Sequence, residues 1–255
     1  MSHASISTSN LTIGYGSRVV QSGINMDLYR GELVSLLGRN GCGKSTLLQT
    51  LSGLLPPVGG SYQIAGASCS GGGVSKNLSL VLTERISLEN TTVHDIVALG
   101  RLPYTDYLGT LHEEDEYRIC SSLASVGLQP VELWKDHYFN ALSDGEKARV
   151  LIAKALAQST PVILLDEPTA HLDLPNRILV LELLRRLSHA EGKTILLSTH
   201  ELDLALQMSD RILLMTPQEG IELDTAERLK EKGSFEKAFG MDVFCRGCQE
   251  YRPPA

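Results

Sequence analysis

The sequence predicts an α/β chain: a mostly parallel sheet with helices on its faces, an antiparallel β lobe at the N-terminus, and a helical subdomain inserted between two halves of the core. Three patterns carry this. Short apolar runs without alternation, "LVSLL" from residue 33, "VILLD" from 162, "TILLST" from 194 and "RILLM" from 211, read as strands buried on both faces. Residues 3–30 and 60–82 instead alternate and turn like short antiparallel strands. Residues 91–138 break both rhythms, being richer in helix formers and surface charge.

Along the chain, "LVSLL" leads through "GRNGCGKS" into the helical "TLLQTLSGLL", and "SCSGGGVS" at 68–75 reads as a hairpin or loop. "TVHDIVALGRLP" and "HEEDEYRICSSLASVGL" predict two helices in the inserted region. Strand then alternates with helix through "NRILVLELLRRLSHAEG" and "ELDLALQMS", and one further helix is expected around 226–239. The organisation expected is a single domain: core with β lobe at 1–90 and 140–225, helical subdomain at 91–139, tail at 226–255.

Composition excludes several classes. At 42% hydrophobic and 21% charged over 255 residues, the chain is neither disordered nor fibrous. No apolar run approaches the ~20 residues of a membrane-spanning helix, and "MSHASISTSN" lacks a charged segment followed by an apolar block, so a chain kept inside the cell is expected. Net charge of −7 and pI near 5.5 argue against a nucleic-acid partner held through phosphates. The cysteines at 42, 69, 120, 245 and 248 have no framework spacing and suit reduced thiols; "CRGC" at the end lacks the two further ligands a zinc site needs.

The chemistry starts at Gly38-Arg39-Asn40-Gly41-Cys42-Gly43-Lys44-Ser45-Thr46, which fits G-x-x-x-x-G-K-[ST] between a strand and a helix. Glycines let backbone N–H groups turn around an anion, the helix start adds partial positive charge, Lys44 reaches β- and γ-phosphates, and Ser45 can ligate Mg²⁺. In "PVILLDEPTAHLD" the strand ends in Asp166, placed to hold Mg²⁺ through water, and Glu167 follows as general base for an attacking water. His200, ending "LLSTH", is placed to bond a γ-phosphate and link it to that base.

The phosphate loop, "LSDGEK", "LLDEPTAHLD" and "STH", in this order and spacing, resemble the nucleotide-binding subunit of an ABC transporter over roughly residues 5–225. The resemblance implies a P-loop NTPase core of RecA-like type, with ATP and Mg²⁺ as ligands. It makes Leu142-Ser143-Asp144-Gly145-Glu146 the signature, usually LSGGQ, with Ser143, Gly145 and Glu146 meeting the nucleotide of a second copy. It makes Tyr15 the ring stacked on adenine and Asp173 part of the loop that communicates across the dimer. A family Gln that ligates Mg²⁺ and senses the transporter falls here on Glu84, in "LSLVLTERIS"; a carboxylate ligates Mg²⁺ but cannot donate a hydrogen bond while ionised. Asp144 and Glu146 add negative charge beside an anion site, so closure on nucleotide is expected to be weaker than with the usual signature.

Within the family, "TTVHDIVALGRLPYT" and "DEPTAHLDLPNRI" resemble the importer subunits for iron-siderophores, haem and cobalamin, and no appended domain like that of the sugar importers is expected. The resemblance implies a head-to-tail homodimer, peripheral at the cytoplasmic face of the inner membrane, closing on ATP and opening on hydrolysis to move membrane permease subunits served by a substrate-binding protein. A soluble ABC ATPase would normally carry two cassettes or a coiled-coil insertion. A nucleotide kinase or GTPase would lack "LSDGE", and the N-K-x-D of a GTPase is absent.

Overall fold

The computed structural model describes residues 4–68, 76–82, 90–216 and 220–239. Two sheets organise it. Strands β1 (Ala4–Tyr15) and β2 (Arg18–Tyr29) form a long hairpin across the turn at Gly16 and Ser17. In β2 the buried residues Ile24, Met26 and Leu28 alternate with exposed ones, the period-2 pattern of a sheet with one solvated face. After β3 (Leu33–Leu37) and helix α1 (Lys44–Leu51), strands β4 (Gly59–Ile64) and β5 (Ala67–Ser68) complete an antiparallel sheet ordered β2-β1-β4-β5.

The sequence-based antiparallel reading of 60–82 holds only for its first part. Strand β6 (Leu78–Leu82) pairs in parallel with β7 (Val162–Asp166), Leu78 facing Val162, and forms the edge of the second sheet. The polar position in "LSLVL" marks no solvated face: Ser79 is buried and accepts a hydrogen bond from Thr160 Oγ1 (3.1 Å).

The helical subdomain follows. Helix α2 (Val93–Ala98) starts in a reciprocal capping box between Thr92 and Asp95. The single helix expected over "TVHDIVALGRLP" stops early: the chain tightens at Leu99 into a 3₁₀ stretch to Tyr104, with Pro103 inside it. Helix α3 (Glu113–Ser125) places four acidic residues at its positive end. The short α4 (Val131–Trp134) leads to α5 (Asp144–Ala157), which carries the "LSDGEK" stretch at its start.

Gly100 and Arg101 lock this subdomain to α5. A Cβ on Gly100 would stand 2.2 Å from the Lys154 carbonyl oxygen, so only glycine allows that approach. The buried Arg101 donates from Nε to Asp115 (2.8 Å) and from a terminal nitrogen to the Ala157 carbonyl (2.8 Å), closing the end of α5. The His112 backbone N–H and then the Arg101 guanidinium hold the Asp115 carboxyl below its ordinary value. That contribution is present above the unfolded pKa of about 3.9 and is lost as pH falls through the lowered folded value. Arg101→Ala leaves Asp115 buried without its cation and is expected to cost on the order of 3 kcal/mol. Thermal unfolding at neutral pH tests this, and an unchanged midpoint contradicts it.

The α/β alternation resumes with β7, α6 (Leu174–His189), β8 (Thr194–Ser198), α7 (Leu202–Met208) and β9 (Arg211–Thr216). A final strand, β10 (Gly220–Asp224), runs antiparallel to β9, so the sheet β10-β9-β3-β8-β7-β6 is parallel except at that edge. Alternate residues of the central strands serve two cores. Ile163, Leu165, Ile195 and Leu197 pack under α5, α6 and the helical subdomain, while Leu164, Leu196 and Val34 face α1 and the β lobe. The helix expected over 226–239 is two, α8 (Ala226–Glu231) and α9 (Ser234–Phe239), broken at Gly233 with φ +67°. Among the described residues no helix is long and apolar enough to cross a membrane. The loop at 69–75, Glu84 and "CRGC" lie outside the described residues.

Candidate nucleotide-binding site

The carboxyl ends of β3, β8 and β7 lie side by side, the edge at which open α/β sheets hold ligands. Beyond β3, Gly41 (φ +78°) and Gly43 (φ +110°) turn the loop through backbone angles an L side chain resists, and α1 starts at once with Lys44. Lys44 is buried, its Nζ donating to the carbonyls of Gly38 (2.9 Å) and Arg39 (3.4 Å). The ammonium is thereby held by two carbonyls of the loop that leads into α1.

A cavity of about 520 Å³ opens above this helix start, beneath the β1–β2 hairpin. It gathers half of the site residues read from the sequence: Asn40, Gly41, Gly43, Lys44, Ser45 and Thr46 from the loop, Tyr15 from the hairpin, Glu167 and His200 from the strand ends. Tyr15 is half exposed, and its hydroxyl pairs with Thr46 Oγ1 at 3.3 Å. Gly38, Arg39 and Cys42 belong to the loop without lining the cavity. The Cys42 thiol points inward, and burial pushes its pKa up, which leaves it a packing group. Arg18 and Val20 line the cavity and were not foreseen.

At the far wall, Glu167 sits in left-handed backbone, φ +52°, unusual for a non-glycine residue. Ser198 holds it there through its hydroxyl and its backbone carbonyl, the latter accepting the Glu167 N–H at 3.2 Å. Ser198 Oγ donates to Asp166 Oδ1 (2.6 Å) and accepts the Glu167 backbone N–H (2.9 Å), while the Glu167 carboxylate pairs with His200 Nε2. Asp166, Glu167 and His200 thus form one connected corner. Ser198 was quoted in "LLSTH" but not singled out, because its role depends on β7 lying beside β8, which spacing does not reveal. Ser198→Ala removes one bond to a carboxylate and one to a strained N–H, each of the order of 1 kcal/mol or more. It is expected to lower kcat for ATP hydrolysis by about tenfold with KM little changed, and steady-state kinetics that leave kcat intact would contradict this.

The signature stretch is elsewhere. Ser143 caps α5: its Oγ accepts the Glu146 N–H (3.4 Å) and its own N–H donates to the Glu146 carboxylate (2.8 Å), the capping box its spacing suggests, and the hydroxyl donates to the same carboxylate at 2.8 Å. These bonds, the hydroxyl's first, hold the Glu146 carboxyl below its ordinary value. Gly145 lies against Asn176: a Cβ there would fall 2.5 Å from Asn176 Oδ1, and the Asn176 amide in turn donates to Asp173 (2.7 Å), the cap of α6. The start of α5 at Ser143 and Glu146 is therefore joined to Asp173 through Asn176 and the buried Gly145, and none of these residues lines the cavity above Lys44.

A glycine loop feeding a buried lysine into a helix start, with two carboxylates at the end of the strand next but one, defines a P-loop nucleotide-binding ATPase. Comparison with known proteins agrees. The family model for ABC transporters matches residues 21–170. The iron(3+)-hydroxamate import ATP-binding protein of Bacillus subtilis is 34% identical over 242 residues, 94% of this chain and 89% of that one. Among solved structures, an inward-facing ABC transporter described as metal-chelate type superposes with a TM-score of 0.82 at 29% identity, covering 94% of this chain and 90% of that chain. A dimeric ATP-binding cassette in a post-hydrolysis state with ADP and Pi gives a TM-score of 0.72 at 27% identity, covering 86% and 98%. The chain belongs to the ABC transporter family, as an ATP-binding subunit that hydrolyses ATP.

Proposed function

We propose that this ATPase powers uptake of a metal chelate, an iron-siderophore, haem or cobalamin, through a separate membrane permease. The observation that carries the cargo class is likeness along nearly the whole chain to the hydroxamate importer subunit and to the metal-chelate type transporter. Docked on permease subunits that receive cargo from a binding protein, the chain sits peripherally at the cytoplasmic face of the inner membrane.

Two copies work as a head-to-tail pair. The cavity above Lys44 has a complete phosphate loop but no signature, and Ser143, whose donors face a carboxylate, lies outside that cavity. A two-fold pair resolves both gaps, with Ser143 and Gly145 of the partner subunit closing over the nucleotide held by Lys44. Asp173, tied through Asn176 to Gly145, lies where the halves meet and reports one site to the other. The Glu146 carboxylate occupies both Ser143 donors and competes with the incoming γ-phosphate, which supports weaker closure than with an uncharged residue.

The donor set fits Mg²⁺: the Ser45 hydroxyl and Asp166 carboxylate are hard oxygen ligands beside a phosphate loop, with Glu84 a third candidate from the sequence. When bound, Mg²⁺ neutralises charge on the phosphate oxygens. Tyr15 stacks on adenine, Lys44 steadies the β- and γ-phosphates, and Glu167 takes a proton from the attacking water. His200 orients Glu167 through the bond between them. Hydrolysis reopens the pair and so moves the permease.

Affinity capture of the tagged chain from detergent-solubilised membranes, followed by reconstitution with the captured permease in liposomes, tests this function. ATP-dependent entry of a labelled ferric hydroxamate, haem or cobalamin is the expected result. Capture of soluble partners only, with no permease, overturns it.

A further inference from the structure

A cation outside every motif read from the sequence lines the nucleotide cavity beside Tyr15. We propose that Arg18 is a nucleotide-binding residue whose guanidinium pairs with the phosphate nearest the ribose, at the opposite end of the polyphosphate from Lys44. The position in the cavity rests on the reading that Tyr15 holds adenine.

The hairpin fixes where Arg18 stands. Tyr15 and Arg18 are directly opposed across the two-residue turn, so their side chains leave the same face of the ribbon. The strand carrying Arg18 is seated on either side of it. A Cβ on Gly14 would lie 2.1 Å from the Arg18 carbonyl oxygen, so the backbone closes directly onto Gly14. A Cβ on Gly43 would lie 2.6 Å from Val20 Cγ1, so Val20 rests on the last residue before α1. Arg18 is thus held over the phosphate loop by packing that needs glycine at two places, and its side chain lines the cavity with Tyr15 and Val20.

Charge supplies the ligand. Among the described residues the Arg18 guanidinium has no carboxylate or hydrogen-bond partner, whereas Arg101, Arg177 and Arg211 are each paired. A guanidinium without a counter-charge on the wall of a polyanion's cavity gains most by meeting the ligand, and its planar fork suits two oxygens of one phosphate. The Tyr15 hydroxyl, bonded to Thr46, keeps the ring over α1. With the base against that ring and the terminal phosphates at Lys44, the group nearest Arg18 is the first phosphate.

Affinities of Arg18→Ala, Arg18→Lys and Tyr15→Ala for ATP, ADP and adenosine, with steady-state ATPase kinetics and circular dichroism to verify folding, test the proposal. Arg18→Ala should weaken ATP and ADP by the same factor, about five- to twentyfold. It should leave adenosine unchanged, raise KM with kcat retained, and flatten the salt dependence of ATP binding; Arg18→Lys should recover part of the loss. Unchanged ATP affinity in folded Arg18→Ala overturns the proposal, as does an equal loss for adenosine, which would mean contact with the base. If Tyr15→Ala binds normally while Arg18→Ala loses ATP and ADP equally, the adenine reading falls and the phosphate contact stands.

Discussion

ATP turnover by Glu167→Gln protein is expected to fall by about 10²- to 10⁴-fold, while ATP affinity stays within a few-fold and the ATP-bound protein migrates as a dimer. Glutamine keeps the size of the side chain and its ability to bond His200, but it cannot accept a proton from water at neutral pH. The left-handed backbone at residue 167 is held by Ser198 through the main chain, so the substitution does not release it. Binding, set by the loop and the hairpin, should survive; the step that reopens the pair should not. Size-exclusion chromatography with and without ATP reads the dimer, and phosphate release reads turnover. Turnover within threefold of the parent would remove Glu167 from the role of base.

Mixing two inactive proteins is expected to restore activity. Lys44→Ala removes the cation of the phosphate loop and Ser143→Arg fills the signature; each alone should lose at least a hundredfold in turnover. In a head-to-tail pair each site takes Lys44 from one copy and Ser143 from the other. A mixed dimer then has one doubly altered site and one intact site. Random pairing makes half the dimers mixed, so an equal mixture should recover up to about a quarter of the parent's activity if the sites act independently. Were both residues to serve the same copy's nucleotide, every site would carry one lesion and the mixture would stay inactive. Ser143→Arg forfeits a helix cap worth ~1 kcal/mol, too little to unfold the chain.

The two experiments rest on features of different legibility. The phosphate loop was readable because its chemistry needs eight consecutive residues between a strand and a helix, and the cavity above Lys44 gathers most of them. The Ser143 cap was readable because a capping box spans four residues, and both its bonds are present. The mixing experiment depends on something no local pattern holds: that α5 starts away from the cavity and against α6. Likewise "LSLVL" carries too little information to say whether it joins a hairpin or the edge of a parallel sheet, since its one polar residue, Ser79, is buried against Thr160 rather than turned to solvent.

By itself the sequence determined the phosphate loop, the strand-end carboxylates, the helix cap at Ser143 and the two-layered plan of β lobe, parallel core and helical insertion. These are written in contiguous residues and short periods, where backbone geometry alone couples neighbours. Only the tertiary structure decided that Ser198 bridges Asp166 and Glu167, that Arg101 closes the end of α5, that Arg18 overlooks the phosphate loop, and that Gly145 reaches Asp173 through Asn176. Each of those joins residues on different elements, and which elements become neighbours is set by the order of strands in the sheet and by the apolar faces they bury. The physical reason is that burial drives the assembly without direction, so it leaves no spacing in the chain from which a particular hydrogen bond can be read.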